Sequence, residues 1–196
     1  MLESRLKVGV DVPWVTSWSA EAVLGFGPCA TVDGRLAVLQ RDQPGFGKPQ
    51  YSLNHHRRQR ASVRAMLCPQ CGEAAPAGDR LTLTGKVTTA GALRRRQLGF
   101  AVPGHIEDDR VVINAGAIAP GHRACLTRAQ ALCPHLSADA DLDLRPFPST
   151  YYISPLQIAA QPHTGAPVLP VITFLQLCGI TDRTDRRWRR ASTADI

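Results

Sequence analysis

Two short stretches hold the residues whose types and spacing suit metal chemistry: Cys68-Pro69-Gln70-Cys71-Gly72 and His122-Arg123-Ala124-Cys125. A Cys-x-x-Cys turn makes two sulfurs converge on one point, and Pro69 and Gly72 suit such a turn. The second stretch repeats the x-x spacing with an imidazole in place of one thiol, where a helical pattern begins. Four such donors are what a structural Zn2+ takes in a tetrahedron. Cys68, Cys71, His122 and Cys125 are therefore expected to bind one zinc ion. The competing reading of Cys68 and Cys71 is a redox dithiol, which needs the pair to follow a strand and open a helix. Here the pair follows a helical stretch and opens into Gly72, Pro76 and Gly78.

Cys133 and His135, in Cys133-Pro134-His135-Leu136, are competing ligands. A continuous helix rises about 12 Å over eight residues, too far for Cys125 and Cys133 to share an ion unless the helix breaks. Cys133 then reads as a core residue, and Cys29 and Cys178, which have no partner at useful spacing, read as small apolar fillers.

Catalytic patterns are weaker. His105, Asn114 and His122 follow the order of a His-Asn-His nuclease, which needs a general base and a metal at the leaving oxygen. Against it, His105 lacks a preceding acidic residue, the step to Asn114 is short, and His122 is claimed by zinc. Glu107-Asp108-Asp109 could hold a divalent cation or simply form an exposed turn. The phosphate-loop, dinucleotide, nucleophile-elbow and His-Glu-x-x-His signatures are absent from the sequence.

The formal charge of +7 is clustered. Arg57, Arg58, Arg60 and Arg64 fall in one helical stretch beside the cysteines, and Arg186, Arg187, Arg189 and Arg190 lie near the end of the chain. These eight arginines are candidate phosphate contacts for a nucleic acid, against the alternative of a solvated helix face and a basic tail. A second class of function is a protein-interaction or assembly component in which zinc stabilises a scaffold and Trp14, Trp18, Tyr151 and Tyr152 serve as contact or core residues.

The run Asn54 to Arg60, the Cys68-Pro69-Gln70-Cys71-Gly72 knuckle, Pro120 to Cys125 and Ala131 to Leu136 together resemble a set of short, uncharacterised bacterial proteins, some phage-associated. In these a helix containing Arg-Gln precedes Cys-x-x-Cys-Gly, and a second Cys-x-x-Cys opens a helix ending in Cys-Pro. The resemblance covers about residues 50 to 136. It implies a Cys3His variant of a paired-knuckle zinc site and carries no activity.

The elements that must position these residues follow from the surrounding pattern. Fifteen prolines and sixteen glycines in 196 residues disfavour a helical bundle. Strands are expected from about Leu6 towards Trp14 and over Arg35–Leu39, Leu81–Thr84, Val87–Thr89 and Arg110–Ile113, and the apolar runs at 151–153 and 168–175 are expected to be buried. A short helical turn is expected at 20–24, a helix from an Asn54 cap to Leu67, and another over 125–136. The fold class predicted is α+β: a treble-clef or zinc-ribbon-like centre, over about 54–136, within a small, mostly antiparallel sheet carrying two or three helices. Residues 1–183 are expected to form one zinc-stabilised domain, with 184–196 a basic mobile tail. No stretch approaches the roughly 20 apolar residues of a spanning helix, and six cysteines without a secretory leader pattern suggest a reducing, cytoplasmic setting.

Overall fold

The computed structural model describes residues 2–96, 102–138, 142–161 and 166–187, with the side chains of Pro134 and His135 excepted. The described residues form an α+β fold around one mixed sheet. Its strands are β2 (Val23–Pro28), β3 (Leu36–Gln40), β6 (Lys86–Thr89), β7 (Arg110–Gly116), β9 (Tyr151–Ala160) and β10 (Leu169–Thr184). Two smaller ladders pair β1 (Thr16–Trp18) with β4 (Pro49–Asn54) and β5 (Leu81–Thr82) with β8 (Arg145–Pro146). The helices are α1 (His56–Ala65), α2 (Ala90–Arg95), α3 (Arg123–Leu132) and the single turn α4 (Pro134–Ser137).

β10 organises the sheet. β9 pairs antiparallel with it from Leu169 to Gly179. The opposite edge is shared, since β3 meets β10 in parallel at Ile172 and β7 joins antiparallel from Leu177. Side chains alternate across the sheet, so β7 and β10 each supply two cores. On one face Ile113, Ala115, Ile172, Leu175 and Leu177 pack with Val63 and Met66 from the α1 region. On the other, Val112, Cys178 and Ile180 pack with Ala90 and Leu93 of α2. A strand covered on both faces reads as a continuous apolar run, and Leu177, Cys178, Gly179 and Ile180 are indeed all buried.

The shared edge of β10 leaves a gap. Between Ile172 and Leu177 the backbone groups of Thr173 and Leu175 face neither β3 nor β7. Helix α1 fills that gap with side chains. The Gln59 amide donates to the Leu175 carbonyl at 2.8 Å and accepts from the Leu175 N–H at 3.0 Å, as a strand peptide would. Arg60 Nη1 donates to the Thr173 carbonyl at 2.8 Å. Backbone groups in an interior must be paired, so α1 carries buried polar residues where an ordinary amphipathic helix carries leucines.

Several expected elements change. Residues 6–12 form turns, and the strand of that region is confined to Thr16–Trp18. The stretch expected to turn helically at 20–24 instead enters strand β2, where Val23 and the following Gly25 and Gly27 pair antiparallel with β3. The cap of α1 is His55, whose Nδ1 accepts from Arg58 N at 3.3 Å, and not Asn54, which closes β4. The sheet is larger than expected and contains one parallel pair, β3 with β10. Tail residues 188–196, Arg189 and Arg190 among them, lie outside the described residues.

Candidate metal centre

The centre begins where α1 ends. Met66 adopts the left-handed conformation, φ 51°, its N–H bonding Ser62 O, and the chain reverses into a tight hairpin in which Leu67 bridges Ala74. Cys68 N donates to Glu73 O at 2.7 Å and Gly72 N to Cys68 O at 2.8 Å, which closes the Cys-x-x-Cys knuckle. Gly72 has φ +83°, and a Cβ there would sit 2.9 Å from the Trp14 ring, so both conformation and space require glycine. The segment before β1 straps the knuckle, with Trp14 N bonding Gln70 O at 2.8 Å and Val15 N bonding Pro69 O at 3.1 Å.

The second pair arrives on the first turn of α3. Gly121 and Leu81 exchange backbone hydrogen bonds of 2.9 and 3.0 Å, which moors the segment beside β5. His122 is the helix cap but makes no side-chain cap bond, and Asp79 Oδ1 instead accepts from Arg123 N at 2.9 Å. This frees the His122 ring for the thiols.

The ligand atoms of Cys68, Cys71, His122 and Cys125 lie within 4.8 Å of one another. His122 Nδ1 is 3.5 Å from Cys71 Sγ and 3.9 Å from Cys125 Sγ. Zinc–sulfur and zinc–nitrogen bonds in a tetrahedron imply an S···N edge of about 3.5 Å, so the donors already stand near ligand spacing. The other ring nitrogen, Nε2, is 3.1 Å from the Ala74 carbonyl. A carbonyl can only accept, so the proton sits on Nε2 and Nδ1 offers its lone pair to the centre.

The electrostatics ask for a cation. Burial pushes the Cys68 thiol up, but N–H groups of Cys71, His122 and Gln70 aimed at it bring the net value below that of an ordinary thiol. Burial raises Cys71 as well, with the Cys68 charge adding to it. Cys125 is pushed up to about 12, by burial first and then by the charges of Cys68 and Cys71. Three thiols this close cannot all ionise unless a metal ion supplies positive charge among them. The set of three sulfurs and one imidazole fits a zinc-class ion, and such an ion would join the knuckle to the first turn of α3 at one point.

The other candidates are dispersed. Cys133 falls where α3 ends, at φ −92° and ψ 114°, so the helix does break; even so, Cys133 is not among the four clustered donors. The His135 side chain lies outside the described residues. Cys178 is fully buried as a core filler, and Cys29 is half-buried against the core, with its sulfur also near Thr31 and Arg60. His105 bonds the Tyr152 hydroxyl at 3.0 Å, Asn114 bonds Gly116 N, and His122 faces the thiols, so each member of the His-Asn-His order has a different partner. Asp108 pairs with Arg94, and Asp109 is buried.

The basic helix is corrected in two places. Arg58 and Arg60 are interior, at 3% and 0% exposure, and do not face solvent as phosphate contacts must. Arg58 donates to both Glu21 oxygens at 2.7 and 2.8 Å and to Thr16 O at 2.9 Å. Glu21, Asp42 and His55 also lie at metal-ligand separations, but the Arg58 guanidinium is the cation among them. Burial, then the Arg58 charge, lowers His55 and keeps it neutral. Arg57 and Arg64 are exposed and paired with Asp42 and Asp33, and Arg187 pairs with Asp185. Arg186 is exposed. Sequence reasoning missed the Glu21–Asp42–Arg58 network because nothing in the spacing of residues 21, 42 and 58 signals their approach.

Beside the centre, two adjoining cavities of about 250 and 480 Å³ share Pro13, Tyr51, Gln70, Ala129, Cys133 and Leu136. Val10, Tyr51 and Leu132 are exposed around it. No helix among the described residues is long and apolar enough to cross a membrane. Comparison with family models, curated proteins and solved structures finds no match, so the metal reading stands on the donor geometry of this chain.

Proposed function

We propose that the protein is a non-enzymatic interaction module whose fold is held by one structural zinc in a treble-clef-like centre. The observation that carries this is the closed donor set: Cys68, Cys71, His122 and Cys125 supply four protein ligands at mutual ligand distance. A catalytic zinc keeps one position for water or substrate, whereas structural sites are filled by protein. The partner surface is the apolar cleft that the centre organises, since the knuckle supplies Gln70 and α3 supplies Ala129 and Leu132. Exposed apolar residues around a preformed cleft favour a protein segment as its occupant. The nucleic-acid reading retains the +7 charge and the exposed Arg57, Arg64 and Arg186, but loses the two interior arginines of α1.

Replacing His122 by Cys tests the structural role of the metal. A structural site tolerates a fourth thiolate, so His122→Cys should keep one zinc per chain and the parent's thermal stability. Loss of zinc or of folding in this variant would contradict the reading. Fluorescence anisotropy with DNA and RNA at low salt distinguishes the partner classes: a steep salt dependence supports phosphate binding, and no binding supports the protein-segment cleft.

A further inference from the structure

Among the described residues the mixed sheet has three outermost strands, β2, β6 and β9, and they are not alike. β6 is a four-residue strand that carries Lys86. β2 is broken by a register shift before Gly25 and closed by Pro28. Short length, a lysine, a bulge and a proline are the devices that keep sheet edges from pairing with other chains. β9 is longer: its ten residues run about 33 Å. It pairs with β10 on one side, and no strand among the described residues pairs with it on the other.

The backbone of β9 is aimed outward at alternate residues. Leu175 turns both its N–H and its carbonyl to Gln59, away from β9, so Pro155 opposite it turns its own backbone groups away from β10. Ile153, Gln157 and Ala159 follow with the period of two. Leu156 points the other way, its carbonyl accepting from Thr173 Oγ1 at 2.9 Å. Pro155 therefore stands where its missing N–H removes no bond from the ladder with β10, while the N–H groups of Ile153, Gln157 and Ala159 remain on the open edge. Ile153, Gln157, Ile158 and Ala159 are exposed, as is Val168 just before β10.

Charge sets this edge apart most clearly. Charged residues make up 20% of the chain, yet between Arg145 and Asp182 the sequence contains no Asp, Glu, Lys or Arg. That interval holds all of β9 and β10 as far as Thr181. A chain of formal charge +7 repels its own copies over most of its surface. Antiparallel pairing about a two-fold axis also brings the same few side chains of both copies together, so that a charge on the edge meets its like. An uncharged strand pairs with itself without that penalty, whereas an acidic partner is drawn to the arginines instead.

We propose that the protein forms a homodimer by antiparallel pairing of β9 with β9 of a second copy, which joins the two sheets into one and shields the exposed Ile153 and Ile158. This surface is separate from the cleft beside the metal centre, which β9 does not line.

Light scattering after size exclusion of the full zinc-loaded chain should give twice the 21.2 kDa of one chain. Amide hydrogen exchange should slow at Ile153, Gln157 and Ala159 as protein concentration rises. Lysines at two exposed positions, Gln157→Lys with Ala159→Lys, should weaken association at least about tenfold in a chain that stays folded by circular dichroism. Gln157→Glu with Ala159→Glu should do the same alone, and mixing the lysine and glutamate forms should restore the dimer, which a loss of folding does not produce. Tyr51→Lys, in the cleft, should leave the dimer intact. A monomeric parent overturns the proposal, even one that captures a strand of another protein. So does a dimer that survives both charged pairs, or charged forms that stay apart on mixing.

Discussion

Substitution of Arg58 by Met probes whether the basic helix is structural. Arg58 is the cation that faces Glu21, whose side chain is 0% exposed, and it also reaches Asp42 and the Thr16 carbonyl. Removing it leaves the Glu21 carboxylate buried with only the N–H groups of Trp18 and Gln43. Breaking one side of a buried ion pair costs about 3–5 kcal/mol. For a chain of this size each kcal/mol lowers Tm by about 2–4 °C, so the expected fall is about 6–20 °C. Urea denaturation and calorimetry of the zinc-saturated protein measure it directly. Adding Glu21→Gln removes the stranded charge, and the double variant should therefore lose clearly less than the sum of the two single losses. A loss below about 1 kcal/mol for Arg58→Met, or strict additivity of the pair, would refute the interior placement of this network.

The exposed arginines behave differently: Arg57→Gln with Arg64→Gln should change stability by no more than about 1 kcal/mol, as for surface ion pairs, while Arg60→Gln alone should cost several-fold more in the same denaturation assay. Gly72→Ala should destabilise the knuckle and weaken zinc retention in a chelator competition, because its Cβ would meet the Trp14 ring at 2.9 Å in a left-handed backbone. Cys71→Ser should abolish zinc binding, whereas Cys178→Ser should leave zinc content unchanged and act only on the core. His55 and His56 both have lowered pKa values, burial first among the causes. The unfolded chain therefore takes up their protons near the ordinary histidine value of 6.5 while the folded chain refuses them. Stability should be level above that pH and fall as the pH drops through it, and His56→Phe should flatten part of the slope.

The donor set was legible because ligand chemistry leaves a local mark: two x-x pairs of Cys and His, each with turn or helix-start residues around it. The strands β3, β6 and β7 were legible for a similar reason, β6 from alternation with period two and β3 and β7 from short apolar or β-branched runs within each segment. The arginines of α1 were misread because helical spacing reports which residues share a face, not which face is buried. That depends on the gap between β3 and β7 along β10, a strand whose contacting residues lie more than a hundred positions from α1. Strand β2 was missed because Gly25 and Gly27 weaken a strand pattern, and only pairing with β3 supplies the missing order. The break of α3 at Cys133 was foreshadowed by Pro134, which disfavours helix at the residue before it.

Zinc stoichiometry is the most direct measurement of the central claim. Native mass spectrometry and elemental analysis of protein prepared under reducing conditions should give one zinc per chain, with a thiol or imidazole donor required at each of the four positions of Cys68, Cys71, His122 and Cys125. Structural zinc of this kind contributes on the order of 10 kcal/mol to folding, so chelation should release the knuckle and α3 together. Metal-free protein that keeps its fold, or a Cys68–Cys71 disulfide in reducing buffer, would contradict the account.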